Sequence, residues 1–245
     1  MKVKNSQRNI DDNEVIQAKI TNNISVFIQS VDQKFSLNQP VYAINWFNTR
    51  MLWLYNFYNL LAAISVNKVG GKPFFKGRVK KTLYGSDEFR RDILLIVNYP
   101  GANSFKNMLE NTYFKIVSLL RMLAVKEFTF GFSRRTDLRN NKVSPCDNGA
   151  YAIVHYRGES NIDKKISLIT VKMGIDICFS GRITSLLFSG NESEVKEQVP
   201  CLMEGVFVLK ADTNLQLEKA LSTDEFQTII QQTISSFVAT LERIF

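Results

Sequence analysis

Two short pieces of this chain, Phe75-Lys76-Gly77-Arg78-Val79 and Phe179-Ser180-Gly181-Arg182-Ile183, repeat one pattern at an offset of 104. Each follows a helix-like segment and a glycine turn, Gly70-Gly71 in the first case and Gly174 in the second. Each leads into a strand, a helix and a last strand. An internal repeat constrains a fold more than any single motif does, because one supersecondary unit is then used twice. The chain is read as one α+β unit present in two copies.

Taken in order, residues 1–10 form an arm, and Asp11 with Glu14 makes a capping box that opens a helix. Ile16, Ile20, Ile24, Phe27, Ile28 and Val31 recur along it at helical spacing, so its apolar face has to dock on something. The first unit then reads as strand 41–47, helix 52–66 closed by Gly70-Gly71, strands 74–84 and 93–99, a helical stretch 104–123 broken near Asn111-Thr112, and strand 127–132. On its second strand Phe75, Gly77 and Val79 point one way and Lys76, Arg78 and Lys80 the other. Residues 137–148, with Ser144-Pro145, read as a linker. The second unit repeats the order with strand 150–156, helix 162–172, strand 175–188, an acidic loop at 191–198, strand 201–210, a helical region 214–233 and strand 237–245. Beyond the longer loop, Ile96/Val208, Leu109/Leu221 and Phe114/Phe226 match at an offset of 112. The expected fold is therefore α+β: two tandem ferredoxin-like βαββαβ units, at 41–136 and 149–245, with an extra N-terminal arm and helix at 1–40.

Composition narrows the functional classes. The 18 Phe residues suggest a core of packed rings and an apolar cavity. The most apolar stretch, 51–66, is interrupted by Asn56 and Asn59 and falls short of the ~20 residues a membrane span needs. The N-terminus lacks the apolar run of a secretory signal. Cys146, Cys178 and Cys201 are odd in number and widely spaced, which suits a reducing compartment, so a cytoplasmic protein is expected. The lone His155 argues against a His-rich metal site. No phosphate loop, Ser–His–Asp order or zinc spacing is present, so no cofactor is expected. Residues 41–136 carry 15 Lys+Arg against 5 Asp+Glu, a balance of +10, whereas 149–245 carry 9 against 12, a balance of −3. The first half thus favours anionic partners. Nucleic acid is not the expected one, since a basic bias at the level of a domain is usually a solvated face.

The run Asn67-Lys68-Val69-Gly70-Gly71-Lys72-Pro73-Phe74-Phe75-Lys76-Gly77-Arg78-Val79 resembles the helix-to-strand signature of the domain-of-unknown-function family thirteen-thirty. So does 93–105, a strand ending Asn98-Tyr99-Pro100, and Ser222-Thr223-Asp224-Glu225-Phe226-Gln227 resembles that family's turn into its last helix. The resemblance covers about residues 11–135 and thins over 150–245. It implies the dimeric α/β-barrel superfamily, here as a single-chain barrel. It also implies relatives by fold among antibiotic-biosynthesis monooxygenases, haem-degrading monooxygenases and muconolactone isomerases. Many short members carry an acidic residue where this chain has Asn98 and, in the second unit, Lys210. Haem degradation in the related fold resembles an Asn, Trp and His arrangement. Asn45-Trp46 is present, but no His falls on the second helix of the first unit.

The candidate site residues follow. Asn45 interrupts an apolar strand, and its buried amide needs partners, either a ligand carbonyl or backbone. Arg78 and Arg182 occupy equivalent places and suit either a bidentate grip on a carboxylate or a salt bridge. His155 aligns with Trp46 and is a candidate base or a structural strand residue. Asn45, Trp46, Arg78, Asn98 and Tyr99 are expected to line a pocket between sheet and helices of the first unit. That pocket suits a cofactor-independent enzyme, monooxygenase- or isomerase-like, acting on a small aromatic or carboxylated (anionic) metabolite. The alternative is a non-catalytic small-molecule-binding or assembly protein whose pocket is filled by Phe128 and Phe130. A homo-oligomer through the sheets or the N-terminal helix fits either reading.

Overall fold

The two glycine turns close in the same way. In the computed structural model, which describes residues 39–86, 89–136, 145, 149–159, 161–188 and 204–244, the Gly71 N–H donates to Val66 O at 2.9 Å and Gly70 N–H to Asn67 O at 3.0 Å. At the offset of 104, Ile175 N–H donates to Thr170 O at 2.8 Å and Gly174 N–H to Val171 O at 3.0 Å. Gly70 and Gly174 sit at φ +76° and +67°, a left-handed conformation that costs a side-chain-bearing residue strain. The expected N-terminal helix, the linker apart from Pro145, and the acidic loop lie outside the described residues, as do Cys146 and Cys201.

The elements are β1 (Val41–Thr49), α1 (Leu52–Lys68), β2 (Lys72–Tyr84), β3 (Ile93–Tyr99), α2 (Ala102–Glu110), α3 (Thr112–Ala124) and β4 (Val125–Arg135) in the first half. The second half holds β5 (Ala150–Arg157), α4 (Asn161–Lys172), β6 (Asp176–Phe188), β7 (Gly205–Ala211), α5 (Asn214–Leu221), α6 (Asp224–Gln231) and β8 (Ser235–Arg243). The break expected near Asn111 is a cap: its side chain accepts the Phe114 N–H at 3.2 Å and starts α3. Thr223 caps α6 in the same way, accepting from Phe226, and so divides what sequence periodicity runs together as 214–233.

The protein is α+β, with eight antiparallel strands closed into a barrel in the order β1-β3-β2-β8-β5-β7-β6-β4 and six helices among the described residues. Strands of the first half fill one arc as β4-β1-β3-β2, and those of the second half fill the other as β8-β5-β7-β6. The halves meet edge to edge, through β2 with β8 and β4 with β6, and not as two stacked sheets. Closure of this kind removes the unpaired edges that would otherwise recruit other chains. The ladders repeat too. Phe75 faces Ile96 and Gly77 faces Leu94; Phe179 faces Val208 and Gly181 faces Val206. A bulge precedes the Phe in both copies.

Three cores result. The barrel interior is filled by side chains from both halves, among them Ile44, Trp46, Phe75, Ile96, Tyr151, Phe179, Val208 and Phe237. The other two lie outside the barrel, between each half's sheet and its own helices. Among the described residues, no helix is long and apolar enough to cross a membrane.

The repeated Phe-x-Gly-Arg piece is a packing device. A Cβ on Gly77 would stand 2.8 Å from the Phe75 ring, and one on Gly181 3.2 Å from the Phe179 ring, so each ring lies against the bare glycine two residues on. Around Gly77 the remaining near neighbour is a Leu241 side-chain atom. Gly181 abuts the Arg134 backbone carbonyl, 2.8 Å from such a Cβ, and Ser133 Oγ across the β4–β6 seam. A ring can tilt, but a paired strand cannot move without opening the barrel. Chemical denaturation should show Gly181→Ala costing roughly 2–4 kcal/mol and Gly77→Ala only about 1 kcal/mol. Equal losses would remove the seam from this account.

Candidate functional site

Alternation along β1 splits the two residues that read as a pair. Ala43, Asn45 and Phe47 face the helices, while Tyr42, Ile44 and Trp46 face the barrel interior. Asn45 and Trp46 therefore cannot serve one site. Trp46 is fully buried, donates Nε1–H to Phe89 O at 3.1 Å, and meets the His155 ring edge-on at 6.3 Å. His155 is thus an interior residue at the position equivalent to Trp46, as their ladder partners Val206 and Leu94 show.

On the helix side of the first half, the sheet and α1, α2 and α3 enclose a cavity of about 220 Å³. Of the sequence candidates it collects Asn45 and Tyr99; Trp46, Arg78, Asn98 and His155 do not line it. Asn45 Nδ2 donates to Ala43 O and Leu95 O, both at 3.3 Å, so its amide hydrogens serve the strand backbone. Tyr99 Oη reaches Met108 Sδ at 3.5 Å. Phe130 stands opposite Asn45 in the ladder and, with Phe128 and Phe105, forms one wall of the cavity without filling it.

Sequence reasoning named Lys76 only as a neighbour of Arg78 on one strand face, and missed Tyr55, Asn59 and Arg121. Lys76 is buried, lines the cavity, and places Nζ 5.0 Å from the centre of the Tyr55 ring. Arg78 and Lys80 follow it along β2, but burial falls away along the strand, and Lys80 is exposed and paired with Glu242 at 2.8 Å. Tyr55 is 1% exposed, and no donor or acceptor stands at hydrogen-bonding geometry to its hydroxyl, although Asn59, one turn along α1, is near enough to lower its pKa slightly. Arg121 stacks its guanidinium 3.9 Å from the Phe128 ring centre. No lining residue is acidic. Arg182, the counterpart of Arg78, is taken up by Asp163 at 2.8 Å and by Gly158 O at 3.3 Å, and so acts within the fold.

Burial is the main cause of every shift in the cavity. It pulls the Lys76 ammonium from an ordinary 10.5 down to about 8, with repulsion from Arg78 adding to it. It also pushes the Tyr55 and Tyr99 phenols up, so both remain neutral donors. The site offers a cation, phenol hydroxyls and aromatic walls.

With the geometry in view, the fold is that of the dimeric α/β-barrel proteins. An anthrone oxidase-like protein superposes with a TM-score of 0.55 at 6% identity, over 84% of this chain and 92% of that one. A candidate monooxygenase from Fusobacterium nucleatum subsp. nucleatum superposes with a TM-score of 0.50 at 13% identity, over 86% and 94%. Chlorite dismutase from Candidatus Nitrospira defluvii, in complex with imidazole, gives 0.44 at 8%, over 84% and 92%. No family model matches the chain, and no curated protein matches it. These likenesses show the fold alone, and the resemblance to family thirteen-thirty has no matching family model behind it.

A base whose pKa is depressed on folding leaves the folded state holding fewer protons than the unfolded chain between the two values. Stability should therefore climb as pH rises from about 8 towards 10.5. Thermal melts of Lys76→Met should lack that climb. A matching slope in both proteins would show that Lys76 is not buried as described.

Proposed function

We propose that the cavity of the first half binds a small aromatic carboxylate, and that Lys76 is the group that receives its charge. The observation carrying this reading is a buried lysine in a cavity whose lining contains no acid. A ligand carboxylate entering that low-dielectric space would pair favourably with the ammonium. Neutral Tyr55 has a hydroxyl to donate, Arg121 adds a second positive charge, and Phe105, Phe128 and Phe130 supply ring faces. At a volume of about 220 Å³ the cavity suits a one-ring compound.

Lys76, with its pKa near 8, is also placed to move a proton to or from a bound carbon acid. That corresponds to the isomerase-like form of a cofactor-independent enzyme. Binding without turnover corresponds to the non-catalytic alternative. The equivalent internal strand order of the two arcs supports reading 41–136 and 149–245 as tandem ferredoxin-like units of a single-chain barrel. Asn45, Lys76 and Tyr99 have Val154, Ser180 and Ala211 as their ladder counterparts, which supports one working site in the first unit.

A thermal-shift panel of benzoate, hydroxybenzoates and their neutral amides tests the reading. The acids should raise Tm and the amides should not. Lys76→Met should abolish the rise, Tyr55→Phe should reduce it, and Lys80→Met, which removes an exposed charge of the same kind, should leave it intact. Equal shifts from acids and amides, or an unaltered shift in Lys76→Met, would overturn it.

A further inference from the structure

Helix α1 is apolar on both sides. Leu54, Tyr55, Tyr58 and Ala62 are buried, while Trp53, Phe57, Leu60 and Ile64 are exposed on the opposite side, Trp53 and Leu60 by 70% and 69%. Beside it α3 turns Ile116, Leu119 and Leu123 outward, Ile116 by 63%. The two helices are neighbours, since Tyr113 Oη donates to Leu61 O at 3.4 Å. Charge is nearly absent from this surface. In α1 it is confined to Lys68 at the C-terminal end, and in α3 to Lys115 in the first turn and Arg121, whose guanidinium lies on the Phe128 ring. A continuous apolar surface of this kind marks a docking face. Among the described residues the second half lacks an equivalent: only Leu168 and Val171 on α4 and Leu215 on α5 stand out on its helices, with none on α6.

We infer that this face pairs with the same face of a second copy of the chain, with α1 and α3 of both copies packed about a two-fold axis. Area is the first argument. Ten large apolar side chains of α1 and α3 are between 38% and 70% exposed. Half of one such side chain is on the order of 100 Å², so the face offers on the order of 1,000 Å² per copy. A stable interface of standard size needs about 800 Å² from each partner. Spacing is the second. The outward residues recur every three or four positions on both helices, the interval at which the side chains of facing helices interlock. Charge is the third. The first half carries a balance of +10, and this is the surface on which two such halves meet with the fewest like charges opposed. A face seated on lipid would instead be edged with Lys and Arg, and α1 and α3 expose only Lys68 and Lys115. Topology is the fourth. The closed barrel leaves no free sheet edge among the described strands through which copies could pair, so association falls to the helix layer. With one such face per chain, self-pairing closes at two copies.

The chain's two tryptophans make the test direct, because Trp46 is fully buried and Trp53 lies on the face in question. At about 100 µM, well above a micromolar Kd, sedimentation equilibrium of the unaltered protein should give a dimer, and acrylamide should quench little of the emission. Leu60→Asp alters an exposed side chain and leaves the barrel core untouched. It should give a monomer with unchanged far-UV circular dichroism, and the quenchable fraction should rise to about half as Trp53 opens to solvent. Ile116→Asp should do the same from α3. Leu215→Asp, at a 79% exposed position on α5, should remain a dimer. A monomeric unaltered protein overturns the proposal, whether its Trp53 is quenchable, which leaves the face open, or shielded, which assigns the cover to the chain itself. A monomer that floats with vesicles of phosphatidylcholine and phosphatidylserine would overturn it and assign the face to a lipid surface. A dimer that survives both Leu60→Asp and Ile116→Asp, or that Leu215→Asp dissociates, places the interface elsewhere and overturns it too.

Discussion

A four-stranded antiparallel sheet has two raw edges and two faces, and its helices cover only one face. This chain meets both needs at once by pairing β2 with β8 and β4 with β6. The two edges of each arc disappear into those ladders, and the two uncovered faces become the wall of one interior. Everything else depends on that closure. Inward side chains must fill a shared space, which is why large rings such as Trp46, Tyr151, Phe179 and Phe237 are fully buried there. The Phe-x-Gly spacing admits one such ring per copy without forcing the strand outward. A filled interior in turn leaves a binding site to the other side of the sheet, among the helices.

The halves then diverge where the barrel does not constrain them. Interior positions keep their bulk across the repeat: Phe75 and Phe179, Ile96 and Val208, Tyr42 and Tyr151. Positions facing the helices do not. Asn45, Lys76 and Tyr99 give way to Val154, Ser180 and Ala211, all buried, with Val154 and Ala211 in the apolar core of the second half. The first half carries a largely apolar cavity with a few polar groups in its lining, and the second an apolar core. A duplicated fold can be free to do this, because only one copy has to accept the cost of an imperfectly packed helix layer.

What could be read in advance follows the same division. The repeat, the glycine turns and the Asn111 break were legible, because turn chemistry and strand alternation are local properties of neighbouring residues. Asn45 stood out as a lone polar group in an apolar strand. Its neighbour Trp46 was placed in the same pocket because adjacency along the chain hides a strand's two faces. Lys76, Arg78 and Lys80 shared one face as expected, but how far the helix layer buries them is set by tertiary packing, and only Lys76 falls inside. Tyr55 and Asn59 could not be found at all, since a helix apolar on both sides has no phase that tells inward from outward.

Lys76 is the buried cation on which the reading of the cavity turns. In the cavity its close neighbour is the Tyr55 ring, and none of the other lining residues is acidic. A methionine would fill the same volume without desolvating a charge. An aromatic carboxylate would meet both that cation and the ring-lined walls around it.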